Sequence, residues 1–84
     1  MEIRLTRHAR RRCVERFITE DAVRRCVRDP DRVVAVPLSG TAAIGIRFVR
    51  EFEWGCMAAT VRQEGERVIV ITVTWEIPAE RRRT

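Results

Sequence analysis

The spacing of apolar residues along the first third of the chain changes from a strand-like to a helix-like period. Residues 2–6 alternate polar and apolar positions, which predicts a short strand with Ile3 and Leu5 facing inward. From residue 7 onward, apolar side chains recur at four-residue steps, the spacing of one helical face. The members of that predicted face are Ala9, Cys13 and Phe17.

A second helix is predicted directly after the first. Thr19 is a suitable N-cap because its hydroxyl can accept a backbone N–H that has no partner inside the helix. Ile18 and Val23 flank this position at the spacing of a hydrophobic staple. Pro30 disfavours helical geometry in the residue before it, so the helix should end near Arg28. Its predicted buried stripe comprises Ala22, Val23, Cys26 and Val27.

The remainder of the chain has the period of β-strands. The predicted strands span residues 32–36, 42–52, 57–62 and 67–77. The first of them is ended by Pro37 and Ser39-Gly40. We therefore predict an α+β domain in the order β-α-α-β-β-β-β, in which two helices pack on one face of an antiparallel sheet.

The last hairpin decides which side chains share a face of that sheet. A three-residue loop at 63–65 pairs Arg62 with Glu66 and Cys56 with Thr72. A turn one residue shorter would exchange the two faces; the longer loop is preferred because it produces one distinctly apolar face. That face then carries Met57, Ala59, Val61, Ile69, Ile71, Val73 and Trp75. The opposite face carries Thr60, Arg62, Val68, Val70, Thr72, Thr74 and Glu76.

Length and charge add a domain boundary and a class of partner. The 84 residues suffice for one domain, predicted at 1–78, followed by a basic tail at 79–84. All 17 basic residues are arginines and the net charge is +5. Residues 1–28 hold nine arginines against four acids, again +5. This concentration is either the footprint of a polyanion-binding surface or a solvated helix face.

Several classes of protein are excluded by what the sequence lacks. No apolar run reaches the length of a membrane span and no secretory signal is recognised at the N-terminus. Three cysteines without a Cys-x-x-Cys pair fit a reduced, cytoplasmic protein, and we expect neither a metal nor another cofactor. Cys13 and Cys26 are expected to pack in the core, whereas Cys56 is either buried or a reactive thiol. Trp54 and Trp75 are candidates for base stacking, Trp75 being the better fit to the core.

Four sequence segments carry a resemblance to a known family. They are a His-Ala opening in 6–12, an Arg-x-x-Glu-Arg helix that ends at 15–16, an Ile-Thr-x-x-x-Val segment at 18–23 and a Pro-bearing exit at 29–33. This pattern, with a matching last strand at 67–73, resembles a domain-of-unknown-function family grouped with the RelE- and BrnT-like toxins. Those toxins are small ribonucleases usually encoded beside an antitoxin.

The resemblance implies a metal-independent endoribonuclease whose RNA site is the open face of the sheet. Its substrate is then RNA that is either free or associated with the ribosome. In-line attack by a ribose 2′-hydroxyl needs a base, an acid and a cation near the phosphate. The candidate catalytic residues are His8, Arg47, Glu51 and Arg62, and the candidate RNA-binding residues are Arg11, Arg12, Thr72 and Thr74. A cognate antitoxin is the expected protein partner.

Alternative readings of the same residues stay open. His8 is either an acid–base group or the residue that secures the strand-to-helix corner. Arg47, Glu51 and Arg62 form either a phosphate clamp or cross-strand ion pairs. The chain has no Tyr, no Lys and no late His, which favours a non-catalytic RNA- or protein-binding module of the same fold as the alternative function. A homodimer is a further possibility, through the exposed valines predicted at Val49, Val68 and Val70.

Overall fold

The structure is a computed structural model that describes residues 1–38, 40 and 42–77. The predicted basic tail at 79–84 and the predicted break residue Ser39 lie outside the described residues. The elements in chain order are β1 (Glu2–Leu5), α1 (Arg7–Arg16), α2 (Glu20–Arg28), β2 (Arg32–Pro37), β3 (Ile44–Phe52), β4 (Gly55–Glu64) and β5 (Arg67–Trp75). The fold is α+β, and neither helix is long and apolar enough to cross a bilayer.

The five strands form one open sheet in the order β1-β5-β4-β3-β2. The sheet is mixed, because β1 runs parallel to β5 while the other neighbours are antiparallel. The prediction of a purely antiparallel sheet is therefore wrong. β1 leads directly into α1, which packs back against β5, and this arrangement sets the direction of β1. Alternation of apolar residues does not encode that direction.

Local capping determines where both helices begin. The hydroxyls of Thr6 and Thr19 each accept the backbone N–H of the residue three positions on, at 3.0 and 3.1 Å. The predicted cap at Thr19 is thus confirmed, and α2 ends at Arg28 as predicted. Ile18 and Val23, the predicted staple, are both buried in the core.

The end of α1 differs from the prediction at Phe17. Its backbone is left-handed, with φ 57°, and its side chain is 91% exposed. The following amide, of Ile18, donates to the carbonyl of Cys13 at 2.9 Å, as in a Schellman motif. Because the helix stops at Arg16, Phe17 cannot continue the face of Ala9 and Cys13. Its assignment to that buried face is wrong.

The β4–β5 hairpin also differs from the predicted register. Glu64 pairs with Arg67, so the turn consists of Gly65 and Glu66, with Gly65 at φ +60°. A positive φ at the first of two central residues is the requirement of a type II′ turn. The predicted pairings of Arg62 with Glu66 and of Cys56 with Thr72 are therefore wrong.

A β-bulge then returns the side chains in the second half of β5 to the faces of the sheet that were predicted for them. Thr60 pairs with Thr72, but the next residue, Val61, pairs with Val70, leaving Ile71 as the extra residue. Before the bulge the predicted faces are exchanged: Val68 and Val70 join the core beneath the helices, and Ile69 lies opposite Arg62. Beyond it, Val73 is in the core as predicted.

The core lies between the helices and one side of the sheet, which we call the helix-covered side. It is built from small and medium aliphatic residues, together with Met57, Cys13 and Cys26. The other side, the open side, holds a separate small buried cluster of Val49, Cys56 and Ala58. Val49 thus lies on the open side but is buried, whereas Val68 and Val70 belong to the core, so the predicted valine dimer surface does not exist.

Candidate functional site

A cleft of about 670 Å³ lies where the start of α1 meets β5 and extends across the open side to the end of β2. Its polar lining comprises His8, Arg47, Thr60, Arg62 and Thr72. Its apolar lining comprises Val36, Pro37, Leu38, Ala43 and Ile71. The cleft therefore combines an imidazole, two guanidinium groups and two hydroxyls with an apolar wall.

The β-bulge in β5 positions His8. The amide of Thr6 donates to the carbonyl of Val70 at 3.1 Å, and its hydroxyl donates to the carbonyl of Ile71 at 3.3 Å. These bonds attach the N-cap of α1 to the bulge. His8 follows two residues later and is exposed at the rim of the cleft. Bulges commonly adjust the direction of side chains next to functional sites.

Three of the polar side chains stand in one row across the sheet. Arg47 on β3 is directly opposite Thr60 on β4, which is directly opposite Thr72 on β5. Side chains at such positions have Cβ atoms about 4.5–5.5 Å apart. Arg62 lies two residues beyond Thr60 and therefore faces the same side. The row is the geometric basis of the cleft.

Each guanidinium of the cleft lies against a carboxylate. The Nη1 atom of Arg47 is 3.5 Å from Oε2 of Glu76, and the Nε atom of Arg62 is 2.7 Å from Oε2 of Glu64. The Nε of Arg47 is buried and makes no hydrogen bond within the part of the chain that the structure describes. Both arginines thus form ion pairs, but not the predicted cross-strand pairs with Glu51: Arg62 and Glu64 both belong to β4, and Glu76 follows the end of β5. The pair of Arg62 with Glu64 is about half exposed, so a ligand phosphate has only weak competition for the Arg62 guanidinium.

Four predicted site residues lie away from the cleft lining. Glu51 is opposite Cys56 and its amide donates to the carboxylate of Asp31 at 2.7 Å. Thr74 faces Ala58, beyond Thr72 on β5. Arg11 is exposed on α1, and Arg12 forms an ion pair with Glu15 on the same helix. The structure therefore brings together His8, Arg47, Arg62 and Thr72, and not the other four.

Sequence reasoning missed Thr60 and the apolar wall of the cleft. Thr60 alternates with Arg62 and was already expected on the same face, so its place in the row could have been found from the period. Ile71 reaches the cleft because of the bulge, for which the sequence carries no clear signal. Val36 and Pro37 close the cleft only because β2 lies beside β3.

The three cysteines are free thiols and all are buried. Burial raises the pKa of Cys26 to about 12, and its Sγ donates to the carbonyl of Phe48 at 3.3 Å. Burial and, next, the charge of Glu51 raise the pKa of Cys56. Raised pKa values make thiols unreactive, so Cys56 has no activated thiolate. No group of three His, Cys, Asp or Glu residues among those described is placed to hold a metal ion.

An aromatic corner lies at the other end of α1. Trp54 stacks on Phe52 with ring centroids 4.5 Å apart and meets Trp75 edge-on at 5.7 Å. The indole N–H of Trp75 donates to the carbonyl of Arg16 at 3.1 Å. Trp75 thus faces the helices as predicted, but it is partly exposed, not fully buried in the core. Trp54, the other candidate for base stacking, packs on Phe52 while about half of its surface stays exposed.

Comparison with known proteins adds no relatives. No protein-family model, curated protein or solved structure gives a significant match to this chain. Functional inference therefore depends on the cleft itself and on the sequence pattern described above.

Proposed function

We propose that this protein is a RelE/BrnT-like endoribonuclease, the toxin of a toxin–antitoxin pair, and that the cleft is its RNA site. The observation that supports the proposal is the placement of the chain's one histidine beside two arginines and two threonines in a single cleft. An imidazole is suited to proton transfer at neutral pH, and guanidinium groups bind phosphate oxygens in a bidentate manner.

In the proposed reaction, His8 accepts the proton of a ribose 2′-hydroxyl. The 2′-oxygen attacks the adjacent phosphorus, and the bond from phosphorus to the 5′-oxygen breaks. Water protonates the leaving 5′-oxygen on the opposite side of the phosphorus and the imidazolium releases its proton to solvent, so the products are a 2′,3′-cyclic phosphate and a 5′-hydroxyl. Arg47 and Arg62 bind the phosphate and stabilise the charge that develops on its oxygens in the transition state. Thr60 and Thr72 supply hydroxyls for hydrogen bonds to the backbone of the RNA.

The direct test is cleavage of a labelled single-stranded RNA by the purified protein and by the His8→Gln variant. We expect His8→Gln to lower the cleavage rate by about 10²-fold or more, since general acid–base catalysis contributes that much. Val14→Ala, also on the exposed surface of α1, is the matched control and should cleave at the normal rate. Cleavage that is unchanged in His8→Gln, or products without a cyclic phosphate, would refute the mechanism.

A second candidate function is RNA binding without cleavage. It is favoured by one feature of the cleft: its lining, among the described residues, contains no Asp or Glu that could assist His8, since Glu51 lies outside it. This candidate predicts that RNA is retained intact, with an affinity that falls as salt rises. Arg62→Gln should weaken retention, whereas Arg28→Gln, an exposed arginine at the end of α2, should have a smaller effect.

The antitoxin part of the proposal has its own test. A toxin of this type is expected to be encoded next to a small gene whose product neutralises it. Overexpression of the chain should arrest growth, and co-expression of the adjacent product should restore it. If His8→Gln arrests growth as strongly as the unchanged chain, the arrest does not come from the proposed cleavage.

A further inference from the structure

The two edges of the sheet are protected very differently. β1, at one edge, is short and carries Glu2 and Arg4, which pair with each other at 3.1 Å. Charged side chains on a short edge strand discourage pairing with another chain. β2, at the other edge, presents the uncharged run Val33-Val34-Ala35-Val36. Within the described residues, nothing pairs with its outer side.

The hydrogen-bond pattern shows which backbone groups of β2 point outward. The amide of Leu38 donates to the carbonyl of Ala43 at 3.1 Å, and the six pairs from Arg32–Val49 to Pro37–Ile44 continue that register without a shift. Because bonded and non-bonded pairs alternate in an antiparallel ladder, Val33 and Ala35 direct their N–H and C=O groups away from β3. Pro37, which has no N–H, occupies an outward position as well, in agreement with this phase.

The side chains of the same strand are also exposed. Val33 is 58% exposed and Val34 is 43% exposed. Ile44, which pairs with Pro37 at the end of the strand, is exposed beside them. An edge that combines free backbone groups with exposed apolar side chains is a template for strand addition.

We propose that β2 pairs with β2 of a second copy of this chain, antiparallel and centred on Val34, to form one continuous sheet. In this register the outward N–H and C=O groups of Val33 form hydrogen bonds with those of Ala35 in the second copy. By symmetry, the outward groups of Ala35 bond to those of Val33 in the second copy. The groups of both residues are used, whereas a register centred on Val33 or Ala35 leaves part of them unpaired. The strand is therefore self-complementary, which is the property of a two-fold interface.

The charges at the strand ends favour the same occupant. With Val34 on the axis, Arg32 of each copy lies opposite the uncharged Val36 of the other. The two Arg32 side chains are therefore not directly opposite each other, and the pairing avoids the repulsion between like charges that such a contact causes. On the open side, Val36 lines the cleft, so the dimer places Arg32 of the second copy beside it. A role of that arginine in RNA binding depends on the proposed function being correct. The dimer itself does not depend on the proposed function.

The first test is the molar mass in solution, measured by light scattering over a wide concentration range. We expect a concentration-dependent rise to twice the monomer mass. Ala35→Pro removes an outward amide only and should abolish the dimer while leaving the far-ultraviolet circular dichroism unchanged. The control is Val14→Lys, which changes an exposed apolar residue on α1 and should leave the dimer intact. A proline at this position would break α1 and is therefore not used.

The second test reports the register directly. The two Val34 residues form a non-hydrogen-bonded pair with Cα atoms about 4.5 Å apart, within the range that a disulfide spans. Val34→Cys should therefore form a covalent dimer under mild oxidation, and Val36→Cys, displaced from the axis, should not. A chain that is monomeric at every concentration, or a dimer that survives Ala35→Pro without Val34→Cys crosslinking, would overturn the proposal. Dimerisation without RNA cleavage would refute the proposed activity alone.

Discussion

The helix-covered side and the open side of the sheet differ in what their side chains do. The helix-covered side is packed by aliphatic residues from both helices and the strands, and Met57, Val23 and Val70 are completely inaccessible. The open side carries the row of Arg47, Thr60 and Thr72 and only a small buried cluster. Stability thus depends mainly on one side and the candidate chemistry lies on the other, so substitutions on the two sides should have separable effects.

The largest expected effect is that of truncating the core. Met57→Ala should lower the free energy of unfolding by about 2–5 kcal/mol, through lost burial and the cavity left behind. Thr72→Ala on the open side should cost less than about 1 kcal/mol by comparison. Urea denaturation of both variants measures the difference. Equal losses would contradict the division between the two sides.

High pH should destabilise the protein through Cys26 on the helix-covered side. Its pKa is raised from 9.0 to about 12 in the folded state, so the unfolded chain loses this proton first. The stability associated with the neutral thiol is complete below pH 9 and is lost as pH rises from 9 towards 12. The free energy of unfolding should fall by up to about 1.4 kcal/mol per pH unit in that window.

Cys26→Ala separates this contribution from other alkaline effects. The variant should show a shallower decline above pH 9 in denaturation curves recorded with a reductant present. Cys56→Ala is the matched substitution on the open side and should flatten the decline less. An identical pH profile in the unchanged chain and in Cys26→Ala would contradict the prediction.

A smaller and stabilising effect is expected at Phe17, which lies outside both sides. A left-handed backbone costs an L-residue roughly 1–2 kcal/mol, and the exposed ring contributes little burial in return. Phe17→Gly should therefore raise the free energy of unfolding by about 0.5–1 kcal/mol, since glycine adopts this conformation freely but is more flexible when unfolded. Val14→Gly, inside α1, should instead lower it by roughly 0.3–0.5 kcal/mol, because the helix propensity of glycine is below that of valine. Thermal denaturation distinguishes the two signs.

The smallest change in stability is expected for the open-side arginine Arg62. Its pair with Glu64 is partly exposed, so Arg62→Gln should change the free energy of unfolding by less than about 1 kcal/mol. The same variant should show a clear loss of salt-dependent RNA retention, measured by filter binding at several ionic strengths. A marked loss of stability would assign Arg62 to the framework and not to the site.

Features with a local cause could be predicted from the sequence. The N-cap at Thr19 and the end of α2 near Arg28 depend on residues within one helical turn, and both were correctly predicted. Ile3 and Leu5 were placed inward by simple alternation. Phe17 shows the limit of periodicity, because a four-residue step does not reveal that the helix ends one residue earlier.

The cleft was predictable only in part. His8, Arg47, Arg62 and Thr72 were singled out by residue type and position and do lie together. Glu51, the fourth candidate catalytic residue, is on the same side of β3 as Arg47, but its position along the strand separates it from the cleft. Sharing a face is a local property, whereas lying in the same cleft depends on strand register.

The amino-acid sequence by itself determined the α+β class, the two helices with the cap at Thr19, and the presence of one apolar side that the helices cover, because these depend on period and on neighbouring residues. Only the tertiary structure decided that β1 runs parallel to β5, that Gly65-Glu66 forms the turn, and that a bulge at Ile71 returns β5 to phase. Those features arise from pairing between residues distant along the chain. A shift of one residue in such pairing reverses every side chain of a strand, and the alternating pattern fits either register nearly as well.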